Sequence, residues 1–191
     1  MNYKAICLTI SLLAATAPAT ALELCGDFNQ GEIIIGKTED EASTVTFNQK
    51  QYPITEDGYF ILAFGRDQNA EAELQLSYPD DASVFYKLPV KTYQWNIQRI
   101  NGVSQQKVTP DSSHDAEIAR EQKDVRRSLT NLQPGDDWRQ GFILPVDGRI
   151  SGEFGNQRIF NGIPKSPHSG TDIAAPEGTP VKASGSGKVI L

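Results

Sequence analysis

The segment from residue 72 to residue 78 reads Ala-Glu-Leu-Gln-Leu-Ser-Tyr, and residues 84–90 read Val-Phe-Tyr-Lys-Leu-Pro-Val. In the first segment apolar and polar side chains alternate, which is the pattern of a strand with one buried face. The second is rich in β-branched and aromatic residues, which favour strands. Similar short runs lie on both sides, at residues 32–36, 43–47, 51–54, 59–64 and 93–100. Short strands at this spacing predict a small antiparallel β-sandwich, which we place within residues 22–108.

Two dipeptides between these runs predict tight turns. Asp57-Gly58 and Asn101-Gly102 each offer a glycine after a short polar residue. That combination supplies the positive φ that two-residue hairpin turns need. We therefore expect a tight hairpin turn at each dipeptide.

The first 21 residues have the composition of an export signal. Lys4 provides a basic start, residues 5–15 form an apolar run, and Ala19-Thr20-Ala21 is a small-residue cleavage site. The apolar run is shorter than the roughly 20 residues that a membrane-spanning helix needs. We therefore predict a signal peptide at residues 1–21 and a mature protein that is periplasmic or secreted, with no membrane span.

Cysteine content and net charge bear on disulfide bonding and on the class of partner that the protein can bind. Removal of the signal would take away Cys7 and leave Cys25 as a free thiol, or as one bonded to a partner outside the chain. The formal net charge is −6, and it becomes −7 once Lys4 is lost (−6 − 1). Without a block of Lys and Arg, a nucleic-acid partner has no electrostatic support.

Residues 109–140 predict a helical linker. Residues 112–133 contain neither Gly nor Pro, and Pro134-Gly135 would end a helix there. One narrow apolar stripe runs along this helix, at Ile118, Val125, Leu129 and Leu132. The stripe could bind a partner protein or dock on a neighbouring domain, and we favour docking. His114, in the acidic first turn, is expected to be a solvated surface residue.

A change of composition at residue 141 marks the start of another domain. Residues 141–191 hold nine of the sixteen glycines and five of the eleven prolines. Frequent turns and close backbone packing are typical of such a composition, which indicates compact β structure.

One pair of side chains in this region could bind a metal ion. His168 and Asp172 offer an imidazole nitrogen and a carboxylate oxygen, both of which are zinc ligands. On a straight strand the two residues would lie about 13 Å apart, at ~3.3 Å per residue. Gly170 permits a bend that could bring them together, and Pro167 fixes the backbone before the histidine. Taken alone, such a pair is more often a hydrogen bond than a metal site.

The surrounding motifs resemble those of a known family. Residues 148–155 read Gly-Arg-Ile-Ser-Gly-Glu-Phe-Gly, and residues 168–175 read His-Ser-Gly-Thr-Asp-Ile-Ala-Ala. Gly-Thr-Pro-Val at residues 178–181 and Gly-Lys-Val at residues 187–189 follow in order. This order resembles the lysostaphin/LytM family of zinc metallopeptidases over residues 141–191, and residues 23–140 are similar to the region that precedes the catalytic domain in some Gram-negative members.

The resemblance implies a fold, a cofactor and an activity. Members have an all-β catalytic domain with a cleft between loops, and they cleave amide bonds in the peptides of peptidoglycan. His168 and Asp172 match the first two ligands of the catalytic Zn2+. In the family, a later His-x-His motif supplies the third ligand and a catalytic histidine.

The His-x-His motif is missing from this sequence, whose only histidines are His114 and His168. A catalytic zinc ion normally has three protein ligands and one open position. We therefore expect the missing motif to lie beyond Leu191, the chain to be a fragment of the peptidase domain, and residues 187–191 to form an unpartnered apolar strand. No catalytic residue is expected within the chain, which should be inactive as written.

Two other classes of function remain open. Some family members have lost zinc ligands and activate other cell-wall hydrolases, although retention of both His168 and Asp172 argues against such a regulator. Alternatively, the β-rich region could be a wall-binding module. Its aromatic residues, such as Trp95, could line a sugar-binding face, but core or half-buried strand positions are the commoner role.

Overall fold

The computed structural model describes residues 7–10, 22–38, 42, 44–104, 115–130 and 135–191. The protein is mainly β, with a short helix, as the sequence predicts. It divides into two compact units, and the main division falls between Tyr93 and Gln94.

The first unit contains two antiparallel sheets of four strands. Their orders are β1-β2-β3-β6 and β5-β4-β7-β8. The strands are β1 (Cys7–Ile10), β2 (Leu22–Cys25), β3 (Ile33–Thr38), β4 (Thr44–Phe47), β5 (Lys50–Tyr52), β6 (Tyr59–Ala63), β7 (Glu71–Ser77) and β8 (Ser83–Pro89). Strands β3 to β8 coincide, within two residues at each end, with six of the predicted runs.

The two sheets share one hydrophobic core. Along β7, Ala72, Leu74 and Leu76 are buried while Glu71 and Glu73 are exposed, as the alternation predicts. One buried cluster joins side chains of both sheets, so the two sheets pack face to face. Its members are Leu22, Leu24, Ile34, Val45, Phe47, Phe60, Leu62, Phe64, Ala72, Leu74, Leu76, Tyr86, Leu88 and Val90.

At Asp57-Gly58 the backbone conformation agrees with the prediction, but the pairing of the flanking strands does not. Gly58 has the expected positive φ of 84°, but the strands it separates, β5 and β6, belong to different sheets. The hairpin expected there is therefore wrong, and the turn carries the chain from one sheet to the other. The two-residue hairpin in this unit joins β4 to β5 through Asn48 and Gln49, both with positive φ.

In the uncleaved chain Cys25 is disulfide-bonded. The expectation of a free thiol, or of a partner outside the chain, concerns the protein after loss of residues 1–21 and stays a prediction. β1 pairs with β2, and the register places Cys7 opposite Cys25. Apart from the four residues of β1, the predicted signal peptide lies outside the described residues.

The second unit contains two small sheets. β9 (Ile97–Ile100) runs parallel to β11 (Gln157–Phe160), which pairs on its other side with β12 (Ile163–Pro164). β10 (Arg149–Gly152) pairs with β13 (Asp172–Ala174). Because β9 belongs to this unit, the change of unit comes before the boundary that we placed at residue 108. Gly102 has the expected positive φ of 76°. β9 pairs with β11, and residues 105–108, which would complete the expected hairpin, lie outside the described residues.

Helix α1 (Asp115–Leu129) lies within the predicted helix and buries none of its residues. Ile118, Val125 and Leu129 are exposed on this helix, and the docking of the stripe on a neighbouring domain stays a prediction. His114 and Leu132 lie outside the described residues. A 3-10 helix follows at Asp137–Gln140. In the part of the chain that the structure describes, no helix has the length and apolar character needed to cross a bilayer.

The apolar strand expected at residues 187–191 does not form. Residues 187–191 have no regular secondary structure, and Val189 and Leu191 are 88% and 76% exposed. A strand requires a neighbour that accepts and donates its backbone hydrogen bonds, and none of the described strands pairs with this segment.

Candidate metal centre

The pairing of β10 with β13 places Asp172 beside the first glycine-rich motif. Asp172 is the first residue of β13 and lies opposite Gly152, the last residue of β10. The register shifts between Ile150 and Gly152, which marks a bulge in β10. A bulge redirects the side chains next to it, and this one adjoins the carboxylate of Asp172.

Two backbone hydrogen bonds hold His168 against the turn that precedes β11. The His168 amide donates to the Asn156 carbonyl, and the Gly155 amide donates to the His168 carbonyl, each at 2.8 Å. These bonds set the main chain of His168 two residues before the bend at Gly170, where the sequence predicted one. The histidine is therefore fixed by residues of the first motif, close to β13.

The side chains of His168 and Asp172 converge as predicted. Nε2 of His168 lies 3.1 Å from Oδ2 of Asp172, and Nδ1 lies 3.1 Å from the carbonyl oxygen of Glu153. Because a carbonyl only accepts hydrogen bonds, this contact assigns the proton of a neutral ring to Nδ1. Nε2 would then face the carboxylate with its lone pair, so a proton or a cation is needed between them.

The geometry fits two ligands of one zinc ion. Ligands about 2.0–2.1 Å from a tetrahedral zinc ion lie about 3.3 Å from each other, close to the observed separation. A metal-bound histidine usually donates its second ring N–H to a carbonyl or carboxylate, and the Glu153 carbonyl lies at hydrogen-bond distance from Nδ1 of His168. The side chains of His168 and Asp172 are 32% and 63% exposed, so solvent and substrate can reach them.

The rest of a zinc site is not found in the described part of the chain. No group of three His, Cys, Asp or Glu side chains there could hold a metal ion. His168 and Asp172 therefore offer two of the three protein ligands that a catalytic zinc site normally has.

Gly152 lies directly against the side chains of His168 and Asp172, a contact that the sequence analysis did not identify. A Cβ atom at this position would lie 2.6 Å from Oδ2 of Asp172 and 3.1 Å from Cε1 of His168. Gly170, which we expected to matter most, has nothing within 4 Å of an added Cβ. Gly152 belongs to the glycine-rich motif at residues 148–155, which the sequence analysis singled out. Its contact with His168 and Asp172 depends on the pairing of β10 with β13, which the motif alone does not reveal.

Trp95 also supports the site, contrary to our expectation that it belongs to the first domain. Its ring contacts Phe154 edge to face, with 5.7 Å between the centroids. It also covers Gly155, where an added Cβ would lie 2.2 Å from the indole. Gly155 has a φ of 79°, a conformation that glycine adopts readily. The segment before β9 thus packs under the turn that holds His168.

The two ligands lie in a cleft of about 350 Å³. Its lining includes Ser151, Arg158 and Phe160 together with His168 and Asp172. This volume falls at the lower end of the range of about 300–1,000 Å³ that is usual for small-molecule sites. The cleft can therefore hold a short stretch of peptide next to the metal ligands.

Comparison with protein-family models and with curated proteins finds no match for this chain.

The close approach at Gly152 leads to a prediction. Gly152→Ala should lower the affinity of the chain for zinc about 10–100-fold, the usual cost of disturbing the support of a metal site. Gly170→Ala is the matched control, because open space surrounds it, and it should leave the affinity unchanged. Titration with zinc, followed by NMR of the His168 ring, measures both. Equal affinities for the two variants would contradict the assigned role of Gly152.

Proposed function

We propose that the second unit carries part of the zinc site of a secreted or periplasmic metalloendopeptidase that cleaves peptide amide bonds of peptidoglycan. The convergence of Nε2 of His168 and Oδ2 of Asp172, at 3.1 Å, is the observation that carries this proposal. The resemblance of the motifs at residues 148–155 and 168–175 to the lysostaphin/LytM family supports it. Cell-wall remodelling is the process in which such an activity would take part.

The residues of the chain would have distinct roles in that activity. His168 and Asp172 would hold the zinc ion, and the carbonyl of Glu153 would keep the imidazole oriented. When bound, zinc polarises a carbonyl group and lowers the pKa of a bound water. The cleft would bind the peptide so that its scissile amide lies beside the ligands.

On the proposed mechanism, amide hydrolysis needs groups that the 191 residues do not supply. A third ligand is needed to hold the ion, and a histidine is needed near the attacking water. We propose that this chain is a fragment of the complete domain and lacks hydrolytic activity. Peptidoglycan is the proposed partner, with another cell-wall hydrolase as the partner if the protein is instead a regulator.

The test compares the chain with an extended version. The extended chain consists of residues 1–191 followed by the downstream half of a related domain that includes a His-x-His motif. We expect weak zinc binding and no release of peptidoglycan fragments from the 191-residue chain, and tight binding with hydrolysis from the extended chain. Zinc content and fragment release are the two measurements.

Each result has a clear meaning for the proposal. Hydrolysis by the 191-residue chain itself would contradict the proposed need for a third ligand. If the extended chain binds no zinc but activates another cell-wall hydrolase, the result would favour a role as a regulator of such hydrolases. Binding of the first unit to cell walls without zinc or hydrolysis would favour a wall-binding module.

The proposed location depends on the leader at residues 1–21. Mass spectrometry of exported protein should find Leu22 as the first residue, since Ala19-Thr20-Ala21 matches a cleavage site. Removal of the leader would also remove β1 and expose the edge of β2 (Leu22–Cys25). An exported protein that keeps an intact N-terminus would contradict the leader.

A further inference from the structure

One face of helix α1 carries an apolar stripe that stays exposed among the described residues. Ile118, Val125 and Leu129 are between 40% and 60% exposed, and the helix buries none of its residues. With Gln122 included, these positions are spaced four, three and four residues apart. That spacing is the alternation of the two core positions in a coiled-coil heptad. The stripe is therefore a narrow seam of the kind that a second helix covers.

The first half of the helix, residues 115–121, is acidic. Asp115 and Glu121 outweigh Arg120, which gives a net charge of −1 (−2 + 1). Glu117 is left out of this sum because it already has another interaction. Even without that carboxylate, the side chains at the start of the seam present an excess of negative charge.

The second half, residues 122–129, is basic. Asp124 and Arg127 form a salt bridge with 3.4 Å between Oδ1 and a guanidinium nitrogen, so this pair is neutral. Lys123 and Arg126 remain, and they give this half a net charge of +2. An acidic start and a basic end also suit the macrodipole of a single helix, but the macrodipole does not account for an apolar seam between them.

A second copy of the same helix, running in the opposite direction, matches both the seam and the charges. A two-fold axis perpendicular to the helix reverses its direction, so the acidic half of each copy faces the basic half of the other. A parallel pair would place like charges together, which is unfavourable across an interface. The charge distribution therefore favours the antiparallel order.

We infer that helix α1 is a self-association site through which two copies of the chain form an antiparallel helix pair. In this pair Ile118 of one copy lies opposite Leu129 of the other, and Gln122 lies opposite Val125. A single polar residue at a core position fixes the register of such pairs at a cost in stability. Three apolar side chains from each copy make a small interface, so the association is weak and reversible. The inference goes beyond the proposed function, since it uses no residue of the cleft.

Sedimentation equilibrium of the full 191-residue chain measures the association. We expect a monomer–dimer equilibrium that the basic-helix variant, Asp115→Lys with Glu121→Lys, weakens at least about tenfold, because both halves of its helix are basic. The same variant changes the net charge of the chain from −6 to −2 (−6 + 4). General repulsion between copies decreases in that case, so it would predict a tighter dimer, the opposite of the expected result.

The matched control is Asp147→Lys with Glu177→Lys. Both carboxylates are exposed and lie outside the helix, and the change in net charge is the same. Because the helix charges remain complementary in this control, its dimer should not weaken.

A mixing experiment tests whether the charges act between copies. The acidic-helix variant, Lys123→Glu with Arg126→Glu, should also weaken the dimer at least about tenfold. An equimolar mixture of the basic-helix and acidic-helix variants should restore dimers, since each helix then faces the opposite charge. Circular dichroism follows the helix content of each variant. If either variant alone loses helix, the mixture still decides, because pairing of opposite charges would restore both helix and dimer.

The direction of the pair is tested by NMR. A spin label attached at Ala116→Cys in one copy should broaden the backbone signals of residues 126–129 in an isotope-labelled second copy. Broadening of residues 115–118 instead would contradict the antiparallel order.

Three results would overturn the inference. Docking of the stripe on a neighbouring domain, which the sequence analysis favours, or binding of the stripe to a different protein, predicts a chain that stays monomeric at the highest concentration it reaches. A dimer that the basic-helix variant leaves unchanged would mean that the copies meet through another surface. A mixture of the two helix variants that remains monomeric would show that the helix charges do not pair between copies.

Discussion

Changing His168→Ala or Asp172→Ala in the extended chain is expected to lower peptidoglycan hydrolysis at least 100-fold and to remove tight zinc binding. Each change leaves a three-ligand site with two ligands, and disturbing even the outer support of such sites costs about 10–100-fold. Nε2 of His168 and Oδ2 of Asp172 are 3.1 Å apart, so each side chain would lie against the same ion. Zinc content after dialysis and the rate of fragment release measure the two effects.

Two controls test whether the loss is specific to the metal centre. Asp147→Ala removes an exposed carboxylate of the same unit that has no part in the cleft, and it should leave both quantities unchanged. His114→Ala should also leave them unchanged, because His114 is the other histidine of the sequence and we assign it no ligand role. An essential His114 together with a dispensable Asp172 would show that the metal site is placed wrongly.

Truncating a core residue of the sandwich is expected to produce the largest change in stability. Phe60→Ala should lower the free energy of unfolding of the first unit by about 3–5 kcal/mol, the range measured for buried aromatic residues. Phe60 is 1% exposed, and its ring lies over Gly36 of β3, where an added Cβ would be 2.1 Å away. The glycine therefore lets the ring pack against the backbone of the opposite strand.

Phe85→Ala is the matched control for this change. Phe85 lies on β8 but is 60% exposed, and its loss should change the stability by about 0.5 kcal/mol or less. Urea denaturation followed by circular dichroism measures both variants. Similar losses for Phe60 and Phe85 would contradict the assignment of the core to the space between the two sheets.

Much of the first unit could be predicted from local patterns. Alternation over residues 72–78 reports which side chains face the core, because successive side chains of a strand point to opposite faces. Local patterns were less reliable at the turns. Gly58 has the expected backbone conformation, yet it connects strands of two different sheets. The sequence analysis also overlooked Asn161-Gly162, whose positive φ angles form the hairpin between β11 and β12.

The convergence of His168 and Asp172 was predictable from the sequence, but the residues packed around them were not. His168 and Asp172 were found from residue type and from the motifs around them. The contact of Gly152 with both ligands could not be read from spacing, because it depends on the register of β10 against β13. The packing of Trp95 under Phe154 and Gly155 likewise joins residues that are far apart in the sequence.

The sequence by itself determined the mainly-β class, the positions of most strands of the first unit, and the pair of side chains that could bind zinc. The tertiary structure decided that β9 joins the second unit and that Gly152, rather than Gly170, lies against His168 and Asp172. Periodicity and turn chemistry act between residues that are close along the chain. Strand pairing brings together residues about 60 positions apart, as in β9 and β11, and its register is set by long-range packing that no local pattern records.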